Sequence, residues 1–234
     1  MIISAHQPAF MPWLGYLHKI LVSDKFVILD NVQFEKNSFI NRNYIMGHNG
    51  PILLTVPIKI KNHLSNTVRD IEISNEINWK KKHLNSIYLN YKKSPFFKDH
   101  FSFFEEIYSN NWIKLFHLNY EILKYLLKVF EIDTKIILMS DLKVNGTKSE
   151  LIINLCKKLE VEKFIFGSNG RDYADINLAN KNNIKFLFQE YSISKLPYRS
   201  IKSDKNLSSV DILFNLKHSN VKKFILLNGK IKLK

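Results

Sequence analysis

Four groups of residues in this 234-residue chain have the types and spacing to do chemistry. The first is His6-Gln7 in "MIISAHQPAFMPWLGYLHK", where a short apolar run stops at an imidazole and an amide. An imidazole titrates near neutrality, so His6 reads as a general base, and the Gln7 amide can donate to a carbonyl or hydroxyl. The competing reading has His6 bonded to backbone and Gln7 capping the next helix. The second group, Asn41-Arg42-Asn43, flanks a guanidinium with amides and suits a phosphate or carboxylate, with Lys59 as a further anion contact. Its competing reading is a loop salt bridge. In the third, His83 follows Trp79 by four residues, on one helix face with Tyr91 further along, and could reach down into a site from above. The fourth, Gly167-Ser168-Asn169-Gly170, offers backbone N–H groups to an anion, although glycine also serves simply to permit a tight turn.

Other candidates read as structural. Asp211 suits a helix N-terminus. Cys156 shares a helical stripe with Ile152, Leu155 and Leu159, which places it in the core rather than at a reactive site. The histidines have no paired metal-ligand spacing, so no metal is expected. There is no phosphate-binding loop or dinucleotide fingerprint, so no resident cofactor is expected either.

The elements that must position these groups follow from periodicity. "MIISAH" reads as a buried strand, "PWLGYLHKILVSD" as a helix with Pro12 in its first turn, and "KFVILD" as a strand ending at Asp30. Pro8 and Pro12 stiffen the turn between the first strand and helix. Residues 31–50 read as a polar, amide-rich loop, and "PILLTVPI" as a third strand. Two aromatic helices split at Pro95 precede an amphipathic helix, "WIKLFHLNYEILKYLLKVFE". Strand and helix then alternate through "TKIILMSDL", "KSELIINLCKKLE", "VEKFIFGSN", "RDYADINLANKN" and "IKFLFQEY". This order predicts an α/β fold, a doubly wound and mainly parallel sheet, in one domain over 1–234, with about 75–130 as a helical insertion or lid. Ligands bind beyond the carboxyl ends of such strands, so His6-Gln7, Asp30, Asp141 and Gly167-Ser168-Asn169 are expected to share one crevice.

Composition sets limits. Apolar residues make up 45% of the chain, which is globular composition. One cysteine excludes an internal disulfide framework and fits a reducing compartment. Met1 runs straight into an apolar strand, so no signal peptide is expected, and no apolar run approaches a membrane span. The localisation expected is cytoplasmic, or peripheral at the inner membrane. The formal net charge is +14, but of 35 basic residues only four are arginine (Arg42, Arg69, Arg171, Arg199) and 31 are lysine. Abundant Lys, Asn and Ile are what biased codon usage gives, so most lysines read as solvated surface. The remaining use for the charge is an anionic partner: tRNA, a nucleotide-linked sugar or an acidic lipid surface.

Several stretches together resemble the WbqC-like family of bacterial proteins, encoded among O-antigen and surface-polysaccharide biosynthesis genes. They are "HQPAFMPWLGYLHK", "LDNVQFEKNSFINRN", "LTVPIK", "WKKKHLNSIYLNYKKSPFF", "GSNGRDY" and "LSSVDILFN". The resemblance covers nearly the whole chain and adds Tyr173 to the candidate residues. It implies transfer of an aminoacyl group, glycyl in particular, to a nucleotide- or lipid-linked amino sugar, with aminoacyl-tRNA or ATP as the candidate co-substrate. Two alternatives stay open: an ATP-dependent amide ligase working through an acyl-adenylate, and a non-catalytic scaffold of polysaccharide assembly. The chain departs from the family pattern at "EYSISKLPYRSIKSDKNLSSVD", which keeps only Pro197-Tyr198.

Overall fold

A computed structural model describes residues 1–59, 66–193, 196–199 and 206–233. The chain opens with β1 (Ile2–His6), α1 (Leu14–Leu21) and β2 (Lys25–Ile28). A ribbon of β3 (Arg42–Gly47) and β4 (Gly50–Thr55) follows, then α2 (Trp79–Tyr91), α3 (Phe97–Ser109) and α4 (Leu115–Val129). Next come β5 (Lys135–Leu138), the short α5 (Met139–Leu142), α6 (Lys148–Lys158), β6 (Lys163–Phe166), α7 (Ile176–Lys181) and β7 (Lys185–Tyr191). The last elements are α8 (Val210–Asn215), α9 (His218–Leu227) and β8 (Gly229–Leu233).

The main sheet runs β5-β2-β1-β6-β7-β8. Its first five strands are parallel, and β8 lies antiparallel to β7. This is the expected α/β architecture. Alternation within each strand feeds two cores: Phe26 and Ile28 face one side, while Ile3, Ala5, Val27, Phe164, Phe166, Phe186 and Phe188 face the other. Helices α1, α2–α4, α8 and α9 contribute to the first core, and α6 with residues of α5 and α7 to the second.

The segment between β2 and β5 is larger than the helices alone. Residues 31–50, read as loop, contain β3, which pairs antiparallel with β4 outside the main sheet. The inserted helices bury Trp79, Ile87, Tyr91, Phe97 and Phe104 in the same core as Phe10, Leu14 and Leu17. They therefore act as a wall behind the β1–α1 turn.

The order β5-β2-β1-β6-β7 has a switch point. From β1 the chain winds one way through β2 to β5, then the other way through β6 to β7. The two crossovers diverge at the carboxyl ends of β1 and β6 and leave a crevice there.

Candidate functional site

A cavity of about 490 Å³ occupies the switch point. It is lined by His6 and Gln7 after β1, Gly167 to Gly170 after β6, Gln189 and Tyr191 on β7, and Trp13, Tyr16 and Lys19 from α1, with Tyr173 and Glu35 also contributing. A second lobe of about 850 Å³ shares Gln7, Val32 and Glu35 with the first and continues to the N-terminal end of α6, where Asn145, Thr147 and Lys148 line it.

The β1–α1 turn is held tightly. Met11 is fully buried with a φ of 45°, a left-handed conformation that costs a bulky residue on the order of 1–3 kcal/mol. Three elements fix it. The Asn43 amide donates to the carbonyls of Phe10 (3.2 Å) and Met11 (2.7 Å). Phe10 N–H donates to Phe39 O, and Ser209 N–H to Pro12 O. Behind the turn the Phe10 ring packs on His83, 5.8 Å between centroids.

His6 is partly buried, with Trp13 and Tyr16 edge-on to its ring at 5.4 and 5.1 Å. Its Nδ1 lies 3.0 Å from the Gln7 carbonyl, which can only accept, so Nδ1 carries the hydrogen and Nε2 the lone pair. Burial, reinforced by Lys19, lowers its pKa to about 3. The imidazole is therefore neutral at neutral pH and holds an acquired proton weakly. This corrects the expectation of a base titrating near neutrality. The Gln7 carboxamide faces both lobes and has no protein partner among the described residues.

Lys19 is the residue that sequence reasoning missed. It sits on α1, where every residue from Leu14 to Ile20 is buried, and is only 4% exposed. Its Nζ donates to Ala5 O at 2.8 Å, and among the described residues no carboxylate pairs with it. Burial lowers its pKa to about 7. Lysines are almost never buried unpaired, so its burial was the available signal, and one lysine among 31 hides it. The hydroxyls of Tyr16 and Tyr191, two more lining residues, are buried without a partner among the described residues.

Neighbouring groups hold the rim in place. Gln189 Nε2 donates to Gly15 O (2.8 Å) and to His18 Nδ1 (2.7 Å), which leaves the His18 hydrogen on Nε2. Gly170 is required by packing, because a Cβ there would lie 2.4 Å from the Phe166 Cβ.

The other expected site residues lie elsewhere. Asp30 follows β2 but turns away from the crevice. It is fully buried and accepts from Ser140 N (2.9 Å), Ser140 Oγ (2.7 Å) and Arg69 Nη1 (2.9 Å), tying β2 to α5. Asp141 is exposed in α5. Asn41 donates to Val56 O at 2.9 Å, and with Asn43 it frames β3 rather than a ligand loop. Both Arg42 contacts go to Asn37. Lys59 is an exposed partner of Glu72 at 2.8 Å. His83 is 4% exposed, its Nδ1 3.2 Å from Tyr108 Oη and its Nε2 3.1 Å from Thr55 O, and burial lowers its pKa to about 4. It supports the site through Phe10 instead of reaching into it. Tyr91 donates to Asp211 Oδ1 (3.0 Å) and accepts from Met46 N–H (2.9 Å), inside the core. Asp211, in the first turn of α8, also accepts from Tyr198 (2.9 Å) and Arg199 (2.8 Å). The departing segment around Pro197-Tyr198 is thereby anchored, while residues 194–195 and 200–205 lie outside the described residues. Cys156 is buried, its thiol pKa pushed up to about 12 by burial. The structure thus brings together His6, Gln7, Gly167, Ser168, Asn169 and Tyr173, adds Lys19, and separates the rest.

Among the described residues no helix is long and apolar enough to cross a membrane. Residues 7–223 match the WbqC-like protein family. Over 216 residues the chain is 26% identical to the uncharacterized protein Rv1507c of Mycobacterium tuberculosis (strain ATCC 25618 / H37Rv), covering 90% of this chain and 91% of that one. No solved structure matches.

Proposed function

The chain belongs to the WbqC-like protein family, and from that premise we propose that it transfers an aminoacyl group, glycyl first among them, to the amine of a nucleotide- or lipid-linked amino sugar. The setting is the cytoplasmic stage of O-antigen or surface-polysaccharide biosynthesis. The observation that carries this reading is the polar crevice at the β1/β6 switch point. A carboxamide and an imidazole nitrogen without protein partners among the described residues, together with a buried amine, line one cavity with aromatic walls. Gln7 is the donor to the carbonyl oxygen as charge develops there. His6 Nε2 accepts a hydrogen bond from the acceptor sugar and orients it. Trp13, Tyr16 and Tyr173 give the ring an apolar wall.

The strand order supports a second reading, because the winding β5-β2-β1-β6-β7 is that of mononucleotide-binding sheets. The larger lobe, with Lys36 and Lys148, has room for a phosphate-bearing co-substrate. In that reading the enzyme activates glycine with ATP and forms the same amide. The test incubates the pure protein with a panel of nucleotide-linked amino sugars, supplying either glycyl-tRNA or glycine with ATP, and reads product mass. A gain of one glycyl group that requires charged tRNA supports transfer. The same gain with ATP, accompanied by AMP, supports ligation. No product across the panel leaves a binding or scaffold role.

A further inference from the structure

The acyl-transfer reading leaves one role unassigned. The attacking ammonium-derived nitrogen must lose a proton, and the group that takes it must be unprotonated before attack and able to hold the proton afterwards. The titratable groups around the crevice are His6 after β1, Tyr16 and Lys19 on α1, Glu35 in the β2–β3 connection, Tyr173 after β6 and Tyr191 on β7. The phenols of Tyr16, Tyr173 and Tyr191 are pushed upward by burial and stay protonated. Glu35 is exposed at the rim. His6 spends Nδ1 on the Gln7 carbonyl and holds a proton weakly.

Lys19 has the geometry for the role. Among the described residues its Nζ makes one hydrogen bond, to Ala5 O at 2.8 Å, which fixes the amine at the end of β1 and leaves its other positions for ligand. Among the described residues no carboxylate compensates a charge there, so the environment favours the neutral amine. A permanently charged anion-binding lysine would be placed with the opposite logic, exposed or paired.

We propose that Lys19 is the catalytic base of this crevice, its Nζ taking the proton from the attacking sugar nitrogen and delivering it to the leaving oxygen. This deepens the acyl-transfer reading and rests on it. The step balances: the nitrogen forms a C–N bond to the ester carbonyl, the C–O bond to the donor hydroxyl breaks, and one proton passes from nitrogen to Nζ to that oxygen. No oxidant or reductant is needed. His6 becomes a positioning residue. Burial lowers the pKa of Lys19 to about 7, which suits a base working at neutral pH.

Two measurements test it together. In the first, competitive acetylation with trace acetic anhydride across pH 5–11, read by peptide mass spectrometry, titrates Lys19 without reference to activity. Reaction as an amine titrating near neutrality, with protection by the nucleotide-linked amino sugar, is expected. In the second, Lys19→Met should lower kcat about 10²–10⁴-fold with little change in acceptor KM. Lys19→Ala should regain rate with added small alkylamines, which a merely structural lysine would not allow. A wild-type enzyme that makes amide while Lys19→Met makes it at the same rate overturns the base assignment alone. So does a Lys19 that titrates near 10. A wild-type protein that makes no amide from any donor overturns the transfer reading, and the base assignment falls with it.

Discussion

Replacing Lys19 with methionine should make the protein more stable while lowering turnover about 10²–10⁴-fold. An amine whose pKa is about 7 in the fold and 10.5 when unfolded is protonated in the unfolded chain but only half so in the fold at pH 7. The sign follows from proton counting. Between those values the unfolded state binds more protons, so the lysine's burden on stability is full at and below pH 7 and is relieved as pH rises toward 10.5. A difference of three and a half pH units corresponds to about 4–5 kcal/mol near pH 7. Methionine removes this burden, conserves volume on a fully packed helix, and leaves Ala5 O without its donor at a cost of about 1–3 kcal/mol. The net gain is about 1–4 kcal/mol, or on the order of 2–16 °C in Tm for a chain of this size. Urea titrations of both proteins at pH 6, 7, 8.5 and 10 measure it. The advantage of Lys19→Met should be largest at pH 6–7 and shrink toward pH 10. A variant less stable than wild type at pH 7, by a margin independent of pH, would refute the reasoning and make Lys19 a structural donor.

Asp30→Asn should cost about 2–4 kcal/mol in urea unfolding, because it breaks a buried carboxylate's bonds to Ser140 and Arg69, discounted for the 43% exposure of Arg69; retained stability with lost turnover would return Asp30 to the substrate. Acid should weaken the fold below pH 6.5, since His6 has a pKa lowered to about 3 and His18 and His83 to about 4, and all three must stay neutral when folded. From pH 6.5 to 5.5 these groups together should remove about 3 kcal/mol, a slope that His83→Phe should reduce, and a flat urea midpoint over that range contradicts it. Gly170→Ala should lose about 1–3 kcal/mol as its Cβ meets Phe166, with the turn of the crevice displaced; unchanged stability and turnover would show that the turn yields freely.

Much of the frame was legible because it rests on local patterns. The apolar runs of β1, β2, β6 and β7, the period of α4 and the break at Pro95 each announce themselves within ten residues. β3 did not, because Arg42-Asn43-Tyr44 alternates polar and aromatic residues and becomes a strand only by pairing with β4. His6, Gln7 and the Gly167–Gly170 turn were legible as neighbours because strand ends and parallel topology fix them. Asp30 was misplaced for a related reason: the strand end is right, but a side chain's direction after the strand depends on Ser140 and Arg69, which lie 110 and 39 residues away. The amides of Asn41 and Asn43 looked like ligand groups, yet their partners are backbone carbonyls 15 to 33 residues distant, a pairing with no sequence signature. Lys19 was hidden by composition, since a lysine on a short helix reads as solvated until the insertion and β7 close around it.

The central claim is that chemistry takes place at the carboxyl ends of β1 and β6. A crystal structure of the protein with a nucleotide-linked amino sugar tests it most directly. The sugar should lie in the switch-point crevice, its nitrogen within about 3 Å of Lys19 Nζ and its ring against Trp13 and Tyr16. A sugar bound elsewhere, such as against Arg42 or the outer face of the inserted helices, with the crevice filled only by water, would contradict the account.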